Sequence, residues 1–552
     1  MSKNLSELSG RKGLQDNLFE ELGILSREAG TASPEQVREL AESFLFGTAN
    51  VYGTASFYDL TRPENKGKKV YVCNGSACLT AGTQPALQNK LSQYFRPEEI
   101  GHMTCLGRCH ENHAFYYDGK NHSACSDAQL NALFSEKKKK PVDQYHVEAL
   151  GTAALTAEIG DLDTYYLLLW NRISKGSAPM LDEIKASGIR GRGGAGFPMG
   201  IKLESCRNEV SDRKFIVCNA DEGDPGAYSD RYILEQRVHA LLFGMMVAGF
   251  ICGAEWGVVY IRAEYPEAVE TCENAVRELY ERGWLGKHIK GTAFSFDFKV
   301  IRAQGAYICG EETALLNSIE GQRPEVRTRP PFPTQQGLFN RPTVVNNVET
   351  LASLHYILEK GGAHYAAIGT EKSKGTKLVS LDSHFNRPGI YEVEMGVSLR
   401  KVIDELGKGF RHEIKAMQIG GPLGGIVPVS KIDALTVDFE SFSSNGFLLG
   451  HASVVCIPQS FSMVEYVEHL FEFAAYESCG KCFPCRLGTT RGHELFHKAR
   501  HSGYKIPPAL LDDLLFTLQT GSLCAHGGGI PLPVRNALQY FPEEFSQVMA
   551  GN

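Results

Sequence analysis

The sequence predicts a multidomain α/β protein, and three observations carry that prediction. First, 552 residues with 43% hydrophobic and 22% charged side chains is ordinary globular composition. At roughly 150 residues per domain this length suggests about three or four units, each able to bury a core. Second, β-type runs and helical segments alternate through the middle of the chain. Third, helical periodicity takes over beyond Met463 and lasts to the C-terminus. The composition excludes disorder, collagen and coiled coil.

The elements follow in order. From Leu14 to about Leu60 apolar residues recur at helical spacing, and Ser33-Pro34-Glu35-Gln36 supplies an N-cap with proline at the first helical position. Lys69 to Cys73 is a short β-type run ending in a cysteine loop, and Ala114 to Lys120 reads as a strand entering the Asp118-Gly119 turn. Glu136 to Val142, with four lysines and Pro141, reads as a linker that closes a first region, residues 1–140. In residues 145–355, strand runs at Phe215 to Cys218 and Val258 to Ile261 alternate with helical segments such as Glu267 to Arg282, which predicts a layered α/β domain. Residues 356–445 hold the strand runs Lys377 to Leu381 and Gly389 to Val393 and a short helical stretch, Leu399 to Leu406: a small α+β module. Residues 460–552 form a helical domain.

Charge and apolar runs narrow the partners. With 57 basic and 64 acidic residues the formal charge is −7, and no sustained basic stripe exists, which argues against nucleic acid. Met1 to Asn17 lacks the features of a secretory signal, so a cytoplasmic location is expected. The longest apolar run, Ala240 to Ala254, closes at Glu255 and falls short of the roughly 20 residues of a bilayer span. It reads as a buried core helix, and no transmembrane segment is expected.

Fifteen cysteines without an export signal point to metal rather than disulfides. Cys479, Cys482 and Cys485 form C-x2-C-x2-C, and Cys524 lies 39 positions after Cys485. Three close thiolates with a distant fourth suit a 4Fe-4S cluster; structural zinc prefers paired knuckles and is the alternative. Cys73 and Cys78 form C-x4-C, and Cys105 and Cys109 form C-x3-C. Two pairs suit a 2Fe-2S cluster, one pair per iron, with structural thiols or zinc as the alternative. His110 and His113 flank the second pair and are read as ordinary histidines. The other seven cysteines are singly spaced and are read as small core residues.

Two glycine-rich stretches carry anion and sugar chemistry. Arg190 to Phe197 contains Gly191, Arg192, Gly193, Gly194 and Gly196 in a G-x-G-x-x-G pattern. Such glycines let backbone amides approach a phosphate. The pattern follows a helical stretch, Leu181 to Ser187, and departs from the dinucleotide fingerprint, which follows a strand. Its arginines and Lys202 still make it a candidate anion cradle, with a plain loop as the alternative. Asn219 to Gly226 places Asp221, Glu222 and Asp224 within four residues after a strand; a metal site or hydrogen bonding to a nucleotide's hydroxyls are the two readings. Tyr307, Gly310, Glu311 and Glu312 form a second Gly-acidic turn entering a helix, where the carboxylates have capping as the alternative role.

Taken together, RGRGGAGF, CNADEGDPG, GAYICGEETAL, PPFP, VNNVET and ESCGKCFPCR, in order from Arg190 to Arg486, resemble the flavin subunit of respiratory complex I and the diaphorase subunits of soluble NAD-dependent formate dehydrogenases and NAD-reducing hydrogenases. Residues 1–140, with VYGTASFY ahead of the cysteine pairs, resemble the thioredoxin-like 2Fe-2S subunit of complex I. The resemblance implies a thioredoxin-like domain, a Rossmann-like FMN/NAD domain, a β-grasp-like module and a helical 4Fe-4S domain. It implies FMN held by the Gly191 to Gly196 loop, Lys202, Asn219, Asp221, Asn346 and Asn347. It also places Glu222, Glu311 and Glu312 on the nicotinamide side, with Phe197 and Phe332 against the nucleotide and Asp224 where several relatives have Glu. His526, two residues past Cys524, stands where an apolar residue is expected. The implied activity is transfer of a hydride between NAD(H) and FMN, and of single electrons through the clusters. The Gly521 to Val534 stretch looks most like formate dehydrogenase diaphorase subunits, which implies a molybdenum or tungsten catalytic subunit and further iron-sulfur subunits as partners; a NiFe hydrogenase partner is the runner-up.

Overall fold

The computed structural model describes residues 14, 17–29, 31–135 and 145–551. The linker expected over Glu136 to Val142 and most of the polar start lie outside the described residues.

Three helices, Leu18–Ala29, Pro34–Phe44 and Thr48–Ala55, open the chain around Leu18, Leu22, Val37, Phe44 and Val51. The expected cap is present in both directions: Gln36 N donates to Ser33 Oγ at 3.2 Å, and Ser33 N to Gln36 Oε1 at 2.8 Å. Next comes a four-stranded sheet of β1 (Val70–Cys73), β2 (Ile100–Met103), β3 (Phe115–Tyr117) and β4 (Lys120–His122), in the order β2-β1-β3-β4. The β3–β4 hairpin turns at Asp118 and Gly119 with φ of 49° and 73°, the positive values a two-residue Asp-Gly turn requires.

After β5 (His146–Leu150) comes the central domain. Its sheet holds β6 (Phe215–Ala220), β7 (Trp256–Ile261), β8 (Asp297–Arg302) and β9 (Thr343–Asn347), all parallel in the order β8-β7-β6-β9. A parallel sheet must be covered on both faces, which explains why the helix Val238–Cys252 is apolar all round. It is almost wholly buried, and at Gly244 a Cβ would lie only 1.9 Å from the Leu351 carbonyl oxygen.

The second large sheet contains β10 (Thr376–Leu381), β11 (Gly389–Glu394), β12 (Ile414–Ile419), β13 (Gly425–Pro428) and β14 (Ser453–Pro458), in the order β13-β12-β14-β10-β11-β5. Two strands come from outside the expected 356–445 stretch. β14 lies beyond it, and β5, expected with the α/β domain of residues 145–355, pairs in parallel with β11 from His146↔Gly389 to Leu150↔Val393. In return Leu358 and Tyr365 join the core of the central domain. The C-terminal helices Met463–Tyr476, Phe483–Ser502, Pro508–Gly521 and Pro531–Tyr540 share a core of Val467, Leu470, Leu495, Leu515 and Val534. Among the described residues no single helix is long and apolar enough to cross a membrane.

Candidate active site and iron-sulfur centres

The topology places a crevice before any side chain is considered. β7 and β8 extend the sheet on one side of β6, and β9 returns on the other. The connection reverses between β6 and β9, and open α/β sheets take ligands outside their carboxyl ends at such a reversal. There β6 delivers Asn219, and β9 delivers Asn346 and Asn347. Asn219 Nδ2 donates to the Gly310 carbonyl at 2.7 Å, and Asp221 N donates to Asn219 Oδ1 at 3.2 Å. The glycine loop lies across the same edge: a Cβ on Gly193 would sit 3.0 Å from the Asn347 Cβ, and Gly194 has φ of 124°. Only glycine holds that conformation without strain.

Two buried atoms at this edge, Asp221 Oδ2 and Asn346 Nδ2, have no hydrogen-bond partner among the described residues. An unsatisfied buried polar group costs about 1–3 kcal/mol, so their presence together fits a bound polar molecule such as FMN. Burial pushes the Asp221 carboxyl well above the usual range, Arg262 only partly opposing it.

Two of the expected residues have their side chains engaged within the protein. Arg192 is fully buried, its guanidinium donating to Tyr365 Oη at 3.1 Å and to the Lys374 carbonyl at 2.5 Å, while its backbone N reaches Thr350 Oγ1 at 2.8 Å. It anchors the loop from behind, and Arg190 does the same through the Gly196 carbonyl at 2.7 Å and Glu440 at 2.6 Å. Glu222, expected on the nicotinamide side, is enclosed. Its carboxylate accepts from Ser229 Oγ (3.2 Å), Asp230 N (2.9 Å), Arg231 N (3.0 Å) and Tyr265 Oη (3.1 Å). It caps the helix Ser229–Gln236. Burial, then Asp230, raises it to about 8.

The remaining residues surround the mouth. Lys202 Nζ donates to the Val345 carbonyl at 2.9 Å and pairs with Glu312 at 3.2 Å. Arg329 bridges Glu311 at 3.2 Å and Glu312 at 2.9 Å, and Glu311 also caps the helix Glu312–Ile319 through Thr313 N and Ala314 N. Phe197 and Phe332 are half-exposed, at 51% and 52%. Tyr307 Oη donates to Asp224 Oδ1 at 2.7 Å, and burial raises that carboxyl.

The cysteines gather in two sets on different elements. Cys73 ends β1, Cys78 lies on the helix Ser76–Thr80, and Cys105 and Cys109 follow β2 with their sulfurs 3.3 Å apart. All four are buried, and three show mutual effects: Cys105 is pushed down by Cys109 and Cys73, while Cys73 and Cys109 are pushed up. Gly226 N donates to Cys109 Sγ at 3.2 Å, which ties this set to the loop carrying Asp221 and Asp224. Cys479, Cys482 and Cys485 occupy the loop and first turn between the helices Met463–Tyr476 and Phe483–Ser502. Cys485 rises to about 12 through burial and the neighbouring Cys482, Cys524 and Cys479. A Cβ on Gly527 would meet Cys485 Cβ at 2.7 Å, so the turn that follows Cys524 packs directly against Cys485. Thiols gathered in fours, all but the partly exposed Cys482 and Cys524 buried, fit iron-sulfur clusters. His110 instead packs its ring 5.0 Å from both Tyr145 and Tyr228. His526 is buried, its Nε2 2.9 Å from the Ala474 carbonyl and its ring 5.7 Å from Tyr307.

Sequence reasoning missed Asp230 and His451. Asn347 Nδ2 donates to Asp230 Oδ2 at 2.6 Å, and His451 Nε2 lies 3.3 Å from the same oxygen. No local pattern announces them, because 221 residues separate the pair.

A strand-end cradle with two four-cysteine sets on separate neighbouring elements defines a flavin- and iron-sulfur-dependent oxidoreductase chain. Residues 184–356 match the Nuo51 FMN-binding domain, 465–548 the NADH-ubiquinone oxidoreductase-F iron-sulfur binding region, and 6–138 the thioredoxin-like 2Fe-2S ferredoxin. The alpha subunit of the NAD-reducing hydrogenase HoxS of Cupriavidus necator is 32% identical, over 95% of this chain and 91% of that one. The NADP-reducing hydrogenase subunit HndC of Solidesulfovibrio fructosivorans is 40% identical over 67% and 75%. A solved NAD+-reducing NiFe-hydrogenase, in the air-oxidized state, superposes with a TM-score of 0.85 and 27% identity, covering 98% of this chain and 96% of its counterpart. The chain belongs to the complex I flavin-subunit family, in the form fused to a thioredoxin-like 2Fe-2S domain.

Proposed function

We propose that the chain is the NAD(H)-linked subunit of a multi-subunit complex, passing electrons between nicotinamide nucleotide and iron-sulfur partners. The carrying observation is that one loop, Asn219 to Arg231, borders both the strand-end crevice and Cys109, while Tyr307 joins Asp224 of that loop to His526 beside Cys524. FMN, when bound, supplies the conversion between a two-electron hydride and single electrons.

The chain's own residues bind and orient. The glycine loop offers backbone amides with no Cβ in the way, and Lys202 offers a cation beside β9. Asp221 and Asn346 offer a carboxyl oxygen and a side-chain amide at the crevice. Phe197 and Phe332 are apolar faces for the nucleotide's rings. Glu311 and Glu312 pair with Arg329 and Lys202, and Asp224 accepts from Tyr307 beside them. Exposed Phe483 and Leu487 follow Cys482 in the chain and exposed Leu523 precedes Cys524; they form the docking face for the next iron-sulfur subunit. A cytoplasmic, membrane-free location belongs to the same reading.

Two electron donors fit. The Gly521 to Val534 stretch favours a molybdenum or tungsten formate dehydrogenase partner, and the whole-length likeness to the HoxS alpha subunit favours a NiFe hydrogenase. Purification with native neighbours, elemental analysis and NAD reduction with formate or hydrogen separate them: molybdenum or tungsten with formate, or nickel with hydrogen. Flavin-loaded chain that fails to reduce a dye with NADH overturns the whole proposal.

A further inference from the structure

We propose that Glu468, His493 and His497 form a binding site for one divalent transition cation of the zinc or nickel type, away from both cysteine sets. His493 and His497 are four residues apart on the helix Phe483–Ser502 and therefore share one face. Glu468 reaches them from the packed neighbour, Met463–Tyr476. His497 Nδ1 lies 2.7 Å and His493 Nε2 3.9 Å from Glu468 Oε1, and one ligand atom from each residue falls within 4.8 Å of the others. Two imidazoles and a carboxylate are a donor set that zinc and nickel accept.

The surrounding charges prepare the carboxylate. Arg500 holds Glu468 Oε2 at 2.5 Å and is itself paired with Glu465 at 2.8 Å, leaving Oε1 directed at the rings. Such an outer partner fixes a ligand's orientation. Burial works to raise Glu468, but Arg500 and His497 outweigh it and the group lies below its usual range. The other charged groups nearby are paired among themselves, His469 with Glu472 at 3.9 Å and Arg491 with Glu494 at 3.0 Å. His501, one turn on, has its ring 4.5 Å from that of His497.

Metal–ligand bonds of about 2.0–2.2 Å require the three donors to draw together. Glu468 is nearly buried and fixed, whereas His493 is 32% and His497 55% exposed, so ring rotation supplies the adjustment. Three protein ligands leave a fourth position for water. His493 stands eight residues beyond Cys485, about 12 Å along the helix, so the site is separate from the cluster. It would tie together the two helices that flank the Cys479–Cys482 loop.

The test uses the full chain with both clusters loaded, titrated with zinc chloride by calorimetry and followed by zinc and iron analysis after dialysis. One zinc per chain with no iron lost is expected. His493→Ala/His497→Ala and Glu468→Gln should each weaken binding about tenfold or more, while His501→Ala leaves it unchanged. Should the double variant lose its clusters, His497→Ala alone, at an exposed ring, makes the same comparison. Equal affinity in the variants and the parent chain, or zinc taken up only as iron is released, overturns the proposal.

Discussion

Asn347 donates its side-chain amide to Asp230 at 2.6 Å, and the same carboxylate oxygen stands 3.3 Å from His451 Nε2. An asparagine at the crevice is thus held by a buried acid and imidazole pair. Burial alone would lower His451; Asp230 and Glu222 reverse this and raise it to about 9, with Lys377 opposing. A raised imidazole stabilises the fold fully below its unfolded value near 6.5 and loses that contribution as pH climbs through about 9. The thermal midpoint of the loaded chain should therefore fall between about pH 7 and 10. His451→Gln should flatten that decline, and scanning calorimetry across the range checks it.

Gly194→Ala should remove flavin and leave iron in place. At φ of 124° an alanine is strained, at a cost of about 1–3 kcal/mol, and the loop relaxes by leaving Asn347. Flavin released by acid and measured by fluorescence should fall severalfold while iron per chain stays constant. Full flavin occupancy would sink the idea.

Removing one thiol from each set should separate the clusters. Cys485→Ser should abolish the 4Fe-4S signal and keep the 2Fe-2S signal, and Cys78→Ser the reverse. Electron paramagnetic resonance of dithionite-reduced protein, with iron counts, reads this directly.

Lys377 and Glu349 form an ion pair with both side chains fully enclosed, and Glu349 also accepts from Leu378 N at 2.9 Å. Lys377→Met leaves a buried carboxylate without its cation and should cost about 3–5 kcal/mol. Adding Glu349→Leu should recover much of that loss. Denaturant midpoints of the two variants decide the matter.

What was legible in the sequence was local or strongly patterned. The Ser33–Gln36 box, the Asp118-Gly119 turn and the all-apolar helix Val238–Cys252 each depend on residues within one turn or one element. The three carboxylates of Asn219 to Gly226 show where this stops. Asp221 faces the crevice, Glu222 caps the next helix and Asp224 meets Tyr307, and these fates depend on partners up to 83 positions away. Arg192 misled for the same reason: its neighbours are glycines, but Tyr365 and the Lys374 carbonyl, more than 170 residues on, draw it inward. β5 is too short to declare its sheet, since register with β11 is set by chain over 200 residues later.

The placement of β5 has a practical side for anyone dividing this chain. It caps the outer margin of the β13-β12-β14-β10-β11-β5 sheet. A fragment starting at His146 keeps β11 paired along its length. One starting after Leu150 bares the backbone donors and acceptors of β11 over five paired positions, a template for strand-to-strand association between copies. The natural cut between the front segment that carries Cys73 to Cys109 and the flavin-binding remainder therefore falls ahead of His146, and clumping of shorter fragments would report a missing edge strand rather than a faulty core.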